Sequence, residues 1–194
     1  MRVGRQLSLF GVEAGPPVPE DLEGLLAGPG QVVRMGGTAR VSVVVDELWR
    51  AQVLHRELRD RGLQVTCVST VEQHIGVRTA YTTALASLGT AWLRGAVKVP
   101  PAGFGFEGRR LRLWVAAAGH ADPLGFTLRL RPSDEPSWDA VGAALAAVGL
   151  PAALVTARAG GPAYRISGRR RLARLAELVG DPPTAAPPGA WPVA

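Results

Sequence analysis

Two periodicities of hydrophobic and polar residues run along the central part of this 194-residue chain. Apolar residues at every second position predict strands, whereas apolar stripes spaced three and four residues apart predict helices. Residues 47–61 show the helical spacing clearly, and Gly62 gives a stop signal. The pattern predicts helices at about 20–27, 47–61, 87–99, 137–148 and 169–179, and strands at 31–35, 39–45, 64–69, 77–85, 109–117, 126–131, 154–158 and 163–167.

The predicted elements give the order helix, two strands, helix, two strands twice, followed by a final helix. This order indicates an α+β fold of two αββαββ(α) repeats, which we expect at residues 20–88 and 89–180. Residues 1–19 are expected to be a flexible tail, because glycines and prolines crowd its second half. Residues 181–194 hold five prolines and are expected to be a disordered C-terminal tail.

Several segments resemble a known family. Residues 22–30, Leu-Glu-Gly-Leu-Leu-Ala-Gly-Pro-Gly, look like the nine-residue signature of the LAGLIDADG homing endonucleases, and residues 93–101 resemble a weaker second copy. Trp92–Ala96 and His74–Tyr81 resemble parts of the N-terminal region of the sporulation regulator WhiA, a degenerate form of this fold. The resemblance covers about residues 20–180. It implies LAGLIDADG-like repeats whose antiparallel sheets form a saddle that binds duplex DNA.

The same resemblance implies where catalytic acids should lie. Nucleases of this family need one carboxylate near the end of each signature helix, so that two acids hold divalent metal between the repeats. The matching positions are Pro29 and Pro100, and Glu23 lies too early on its helix to substitute. Proline has no side-chain metal ligand, so we expect no nuclease activity, no metal site and no cofactor.

The N-terminal pentapeptide Gln6-Leu7-Ser8-Leu9-Phe10 resembles the consensus through which bacterial polymerases and repair proteins bind the replicative sliding clamp. An extended tail of this kind places its leucines and phenylalanine in an apolar groove, while the Gln6 amide hydrogen-bonds at the rim. An edge strand is the alternative, because Leu7 and Leu9 share one face. The position ahead of a Pro/Gly linker favours the tethered clamp ligand.

Arginines alternate with apolar residues in several predicted strands, which places them together on one face of a sheet. Arg110 and Arg112 alternate with leucines in one predicted strand. Arg129 and Arg131 do the same in the next. Such a face suits phosphate, although the polar face of any one-sided sheet is the alternative. The expected DNA-contacting residues are Arg34, Arg40, Arg78, Arg110, Arg112, Arg129, Arg131, Arg158 and Arg165.

Composition narrows the remaining choices. The formal net charge of +6 fits a nucleic-acid partner, but G·C-rich genomes also favour arginine codons, so the placement of the arginines has to decide. Cys67 is the only cysteine, which excludes an intramolecular disulfide and a cysteine-based zinc site and favours a reducing cytoplasm. We expect neither a signal peptide nor a membrane span, because the apolar runs are too short.

Three functions remain open. The pattern favours a monomeric, non-catalytic protein of the bacterial cytoplasm and nucleoid that binds double-stranded DNA and docks on the sliding clamp during replication or repair. A WhiA-like transcription or chromosome factor with an accidental tail match is the first alternative. The second is an adaptor whose sheet face binds an acidic protein.

Overall fold

The computed structural model describes residues 11, 15–70, 74–156 and 161–193, so the clamp segment Gln6–Phe10 and Arg158 lie outside the described residues. The first half contains α1 (Glu23–Ala27), β1 (Gln31–Met35), β2 (Thr38–Val45), α2 (Leu48–Asp60), β3 (Val65–Ser69), β4 (Ile75–Thr79), α3 (Ala86–Trp92), β5 (Leu93–Arg94) and β6 (Val97–Lys98). The second half contains α4 (Gly108–Ala118), β7 (Gly119–Asp122), β8 (Gly125–Arg129), α5 (Glu135–Ala147), β9 (Ala153–Val155), β10 (Ala163–Ile166) and α6 (Arg169–Val179).

Each half of the chain builds an antiparallel four-stranded sheet. Sheet 1 has the strand order β1-β2-β4-β3, and sheet 2 has the matching order β7-β8-β10-β9. Alternate residues of β2, such as Val41, Val43 and Val45, are buried under the helices, which leaves the other face of the sheet outward. The expected α+β fold of two repeats with antiparallel sheets is therefore confirmed.

The helices α1 and α4 pack side by side at the centre of the molecule. Gly24 of α1 lies directly against the backbone carbonyl of Arg110, and Gly28 lies directly against the indole of Trp114. Neither position has room for a Cβ atom, so both glycines are required for the close approach of the two helices. Trp114 is fully buried, and its Nε1 donates to the carbonyl of Arg129, 2.9 Å away, which ties α4 to β8.

The strand predicted at residues 109–117 is wrong, because these residues form α4. A helix surrounded by other elements has no single solvent face, so it lacks the usual apolar stripe. Its arginines instead reach acids on different neighbours. Arg110 pairs with Glu23 of α1 at 2.9 Å, and Arg112 pairs with Glu57 of α2 at 2.7 Å. The period-two pattern thus reflects separate ion pairs around a central helix.

The second signature was also placed wrongly. The helix predicted at 87–99 ends at Trp92, and residues 93–98 form the short hairpin β5–β6. Gly95 has a φ of 63° in its turn, a backbone conformation that favours glycine and ends the helical path. Pro100 therefore does not end a signature helix, and the helix that packs on α1 is α4.

Residues 181–193 form no helix or strand, yet they pack on the domain. Trp191 is 3% exposed, and its Nε1 donates to the carbonyl of Gly180 at 3.0 Å. The Arg112 guanidinium lies over the Trp191 ring at 5.1 Å and donates to the carbonyl of Asp181 at 2.8 Å. The expectation of a disordered C-terminal tail is wrong for these residues, because a buried tryptophan and a helix arginine hold them in place.

Candidate nucleic-acid interface

The outward faces of the two sheets, called here the saddle face, carry matching rows of side chains. Strand register aligns each residue with its neighbours on the adjacent strands, so the rows follow directly from the pairing. One row of sheet 1 contains Gln31, Ser42, Arg78 and Thr66. The corresponding row of sheet 2 contains His120, Thr127, Arg165 and Ala153. Arg78 and Arg165 therefore hold equivalent positions in the two repeats.

Five of the arginines proposed from sequence lie on or beside the saddle face. Arg40 and Arg78 lie on sheet 1, and Arg129 and Arg165 lie on sheet 2. Arg131 follows β8 and lines a groove between the repeats with Pro29, Gln31, Ser42 and Val44. The structure thus places these cations along one surface that spans both sheets.

Arg34 does not belong to this face. It pairs with buried Ala39, and its side chain lies against Gly89 of α3, so it is on the helix-covered side of sheet 1. The reason is strand alternation: Arg34 and Arg40 lie on adjacent paired strands, and Arg40 pairs with Val33 instead. Strand register is not visible in the sequence, so the expectation that both arginines share one face is wrong.

Arg110 and Arg112 are also absent from the saddle face. Both lie on α4, where their side chains are engaged with Glu23 and Glu57. Burial opposes ionisation of Glu57, but hydrogen bonds from Arg112 and Arg61 outweigh it and lower the pKa of Glu57. These arginines stabilise the packing of the helices, and the expectation that they face the same surface as Arg129 and Arg131 is wrong.

The arginines of sheet 2 are paired with acids. Arg129 contacts Asp46 at 3.3 Å, and Arg165 contacts Asp122 at 3.2 Å. Asp46 also accepts from His120 Nε2 at 3.2 Å. The hydrogen bond to His120, reinforced by Arg50 and opposed by burial, holds the pKa of Asp46 well below its usual range. A carboxylate from the first repeat thus partly neutralises the second sheet.

The arginines of sheet 1 have different partners. The Arg40 guanidinium lies over the Tyr81 ring at 4.6 Å, and Arg78 Nε donates to Thr66 Oγ1 at 3.2 Å. Among the described residues neither arginine contacts a carboxylate. Both keep their full charge available to an anionic ligand.

Two residues that are equivalent in the repeats mark the centre of the saddle. Pro29 lies two residues before Gln31, and Ala118 lies two residues before His120, the first members of the matching rows. Ala118 is also the last residue of α4. The position opposite Pro29 is therefore Ala118, and neither residue carries a side-chain ligand for a metal.

Buried cations fill the space beneath these two helix ends. Lys98 Nζ donates to the carbonyls of Gly28 and Gly30 at 2.9 and 2.7 Å and pairs with Asp134 at 2.7 Å. Burial lowers the pKa of Lys98 to about 8, against the stabilising contact with Asp134. Cations are favourable at helix C-termini, where carbonyl groups lack partners.

Arg50 plays the same part at the end of α4. It donates to the carbonyls of Ala116 and Gly119 at 3.0 and 2.6 Å, and it pairs with Asp46 at 3.2 Å. Burial is the largest cause that lowers its pKa. Within the described part of the chain, no group of three or more His, Cys, Asp or Glu side chains is placed to hold a metal ion.

Solved structures share this architecture. The homing endonuclease I-WcaI, bound to its DNA recognition sequence, matches with a TM-score of 0.61 and 12% identity over 82% of this chain and 79% of that chain. The fold is that of the LAGLIDADG homing endonucleases. The N-terminal LAGLIDADG domain of DUF199/WhiA matches with a TM-score of 0.57 and 13% identity over 90% of this chain and 89% of that domain.

Full-length DUF199/WhiA from Thermotoga maritima matches with a TM-score of 0.59 and 11% identity over 85% of this chain, which spans 55% of that protein. No family model and no curated protein matches the sequence. None of the helices in the described residues is long and apolar enough to cross a membrane.

Sequence reasoning missed the residues that organise the centre of the saddle. Asp46, His120 and Arg50 come from different parts of the chain and meet only in the folded molecule. Asp122 was overlooked because β7 had been placed too early, within the residues of α4. Lys98 is the only lysine of the chain, but its carbonyl and carboxylate partners are likewise brought together only by the fold.

Proposed function

We propose that this chain is a non-catalytic protein that binds double-stranded DNA with its saddle face and docks on the bacterial sliding clamp through Gln6–Phe10. Its role would be accessory to DNA replication or repair, in the cytoplasm at the nucleoid. The observation that carries the DNA part is the alignment of Arg40, Arg78, Arg129 and Arg165 on one outward surface of the two sheets. Planar guanidinium groups bind phosphate and guanine edges in two-point contacts.

The ends of the signature helices support binding without cleavage. Pro29 and Ala118 supply no carboxylate, and the groups nearest these ends are the cations Lys98 and Arg50. Asp46 is already engaged by Arg50, Arg129 and His120, and Asp134 is paired with Lys98. Metal-assisted cleavage of DNA would need a pair of acids that are free to hold a divalent metal.

The shared fold with a DNA-bound homing endonuclease supports the proposal that this chain binds duplex DNA. That protein holds its DNA recognition sequence on this fold, and this chain keeps the two sheets side by side, with Asp46 of one repeat touching Arg129 of the other. Backbone contacts position a protein on a duplex regardless of sequence, so arginines on the saddle face are sufficient for binding.

The start of the described chain supports the clamp tether. Gly15 is held at the N-terminal end of α4, where its carbonyl accepts from Arg109 Nη1 at 2.6 Å. The opposite end of α4 leads into β7 of the saddle. A helix of eleven residues separates these ends by about 16 Å, so Gly15 lies at the end of α4 that is away from β7. Two weak modules joined in this way gain affinity because the second contact becomes intramolecular.

Duplex binding without cleavage is tested by fluorescence anisotropy on a short labelled duplex in EDTA, with plasmid nicking measured separately in magnesium or manganese. We expect binding that weakens with salt, because phosphate contacts release counterions, and no nicking. Metal-dependent cleavage that disappears in Asp46→Asn would show that a catalytic acid had been missed. Absence of duplex binding at low salt would contradict the proposed function as a whole.

Clamp docking is tested with the purified sliding clamp and the full chain by calorimetry. The Leu9→Ala/Phe10→Ala variant should lose binding, because truncating two buried anchors typically costs several kcal/mol. The matched control is Val3→Ala/Val12→Ala, which shortens apolar side chains outside the pentapeptide and should bind normally. Duplex binding with no clamp binding would favour the WhiA-like chromosome factor, which the structural likeness to WhiA also supports.

A further inference from the structure

Sheet 1 exposes apolar side chains on the face that carries its arginines. Val33, Met35, Val44 and Val68 are 43%, 58%, 56% and 47% exposed. The register places them on the saddle face, since Val33 pairs with Arg40 and Val44 pairs with Gly76, which also pairs with Val68. The polar row of Gln31, Ser42, Arg78 and Thr66 divides them into two pairs, Val33 with Met35 and Val44 with Val68, so each pair is a small apolar site among polar and charged groups.

The equivalent surface of sheet 2 is different. The row of sheet 1 nearest the centre contains Val44, Gly76 and Val68, whereas the matching row of sheet 2 contains Arg129, Ala163 and Val155. Arg129 thus replaces Val44. Gly76 has no side chain, and a Cβ atom there would make only an ordinary contact of 3.6 Å with the Val68 carbonyl oxygen, so the two valines flank a shallow notch. The apolar character is therefore a property of one repeat.

Resting on the proposed binding of duplex DNA, we propose that this surface reads thymine methyl groups in the major groove of one half of the bound site. The C5-methyl of thymine is the apolar group that a base pair presents in the major groove. Val33 and Val44 lie beside Arg40 and Arg78, which contact no carboxylate among the described residues and would hold the flanking phosphates. This combination of charge and methyl-sized contacts fits DNA better than a wholly apolar protein surface.

The test compares DNA duplexes that differ only in the C5-methyl group of the pyrimidine. Wild-type affinity is measured by anisotropy for an alternating dA·dT duplex, the same duplex with uracil in place of thymine, an alternating dG·dC duplex, and that duplex with 5-methylcytosine. Burial of a methyl group contributes enough for roughly a threefold to tenfold change in affinity. We expect uracil to weaken binding and 5-methylcytosine to strengthen it by that factor.

The residues are tested with Val33→Ser/Val44→Ser/Val68→Ser, with folding checked by circular dichroism and Val44→Ser as the milder variant. This change should abolish both methyl effects while duplex binding persists. The matched control is Leu124→Ser/Leu154→Ser, which removes exposed apolar side chains of the second repeat and should keep both effects.

Each outcome separates this inference from the proposed function. Equal wild-type affinity for thymine and uracil duplexes, with clear binding of both, would overturn methyl reading and leave DNA binding intact. Persistence of the methyl effects in the valine variant would overturn the assignment to sheet 1. Failure of the wild type to bind any of the duplexes would contradict the proposed function itself and make a protein partner the better occupant.

Discussion

The outward faces of sheet 1 and sheet 2 match in geometry but differ in charge. Arg78 and Arg165 occupy the same place in their rows, yet Arg78 contacts Thr66, whereas Arg165 contacts Asp122 at 3.2 Å. Arg129 is likewise held by Asp46. Within the described residues, the first sheet presents cations without an acidic partner among exposed valines, and the second presents cations that already have acidic partners.

This difference shows that counting arginines overstates the positive charge of a surface. Partly exposed ion pairs contribute little to stability, typically below about 1 kcal/mol, so a phosphate can compete for their arginines. Each such exchange nevertheless uncovers a carboxylate near the DNA, which repels the phosphates. We therefore expect sheet 1 to supply more of the duplex affinity than sheet 2.

The largest effect should come from removing Arg40 and Arg78, which contact no carboxylate in the part of the chain that the structure describes. Arg40→Ala/Arg78→Ala should weaken duplex binding and lower the log–log salt slope by roughly 1–2 units, because each lost phosphate contact removes about 0.9. Arg129→Ala/Arg165→Ala should lower the slope by less, since those charges are partly neutralised in the free protein. Anisotropy at several salt concentrations measures both slopes.

Arg112→Ala is the control for the arginine variants. Its side chain holds Glu57 and the C-terminal segment, so the change should reduce the free energy of unfolding without changing the salt slope of the folded protein. A loss of slope in Arg112→Ala, or equal losses in the two sheets, would contradict the comparison. Urea unfolding monitored by tryptophan fluorescence separates instability from lost contacts.

The sequence predicted most where an element has one buried and one exposed face. The helix α2 and the strands β1 and β2 have such faces, and the structure confirms them close to the expected bounds. The sequence-based prediction failed for α4. Other elements enclose this helix, and the spacing of Arg110 and Arg112 therefore suggested a strand. Local alternation cannot reveal tertiary partners of this kind.

The site was predictable only in part for a related reason. The positions of Arg40 and Arg78 follow from alternation along a strand, but their freedom from acids depends on what other segments bring nearby. Asp46 and Arg129, for example, are 83 residues apart. Strand register was equally invisible, and it is register that removes Arg34 from the saddle face.

A smaller effect should follow from removing the acid that neutralises Arg129 on sheet 2. Asp46→Asn removes the carboxylate that faces Arg129, so duplex binding should tighten by a few-fold and the salt slope should steepen by less than about one unit. The matched control is Asp60→Asn at the end of α2, which removes the same charge from an exposed position on the helix side. Equal tightening in both variants would mean that net charge alone sets the affinity, and that Asp46 does not restrain sheet 2.

The smallest effect is the acid dependence of stability that these pairs should produce. The pKa of Asp46 is lowered below its ordinary value of 3.8 by the hydrogen bond to His120 and by Arg50, against the effect of burial. A carboxyl whose pKa is lower in the folded state stabilises that state above the unfolded pKa. This stabilisation is lost as the pH falls through the folded pKa.

The stability of the wild type relative to Asp46→Asn should therefore shrink as the pH falls below the unfolded pKa of 3.8. Asparagine does not titrate, so the fall in this difference at acid pH reports on the carboxyl of Asp46. Urea unfolding of both proteins at a series of pH values measures it, with Asp60→Asn as the control for an exposed acid. A difference that stays constant as the pH falls well below 3.8 would show that the contacts of Asp46 with His120, Arg50 and Arg129 do not favour its ionised form in solution. The part of the charge contrast that rests on Arg129 would then lose its physical basis, whereas the pair of Arg165 with Asp122 would be untouched.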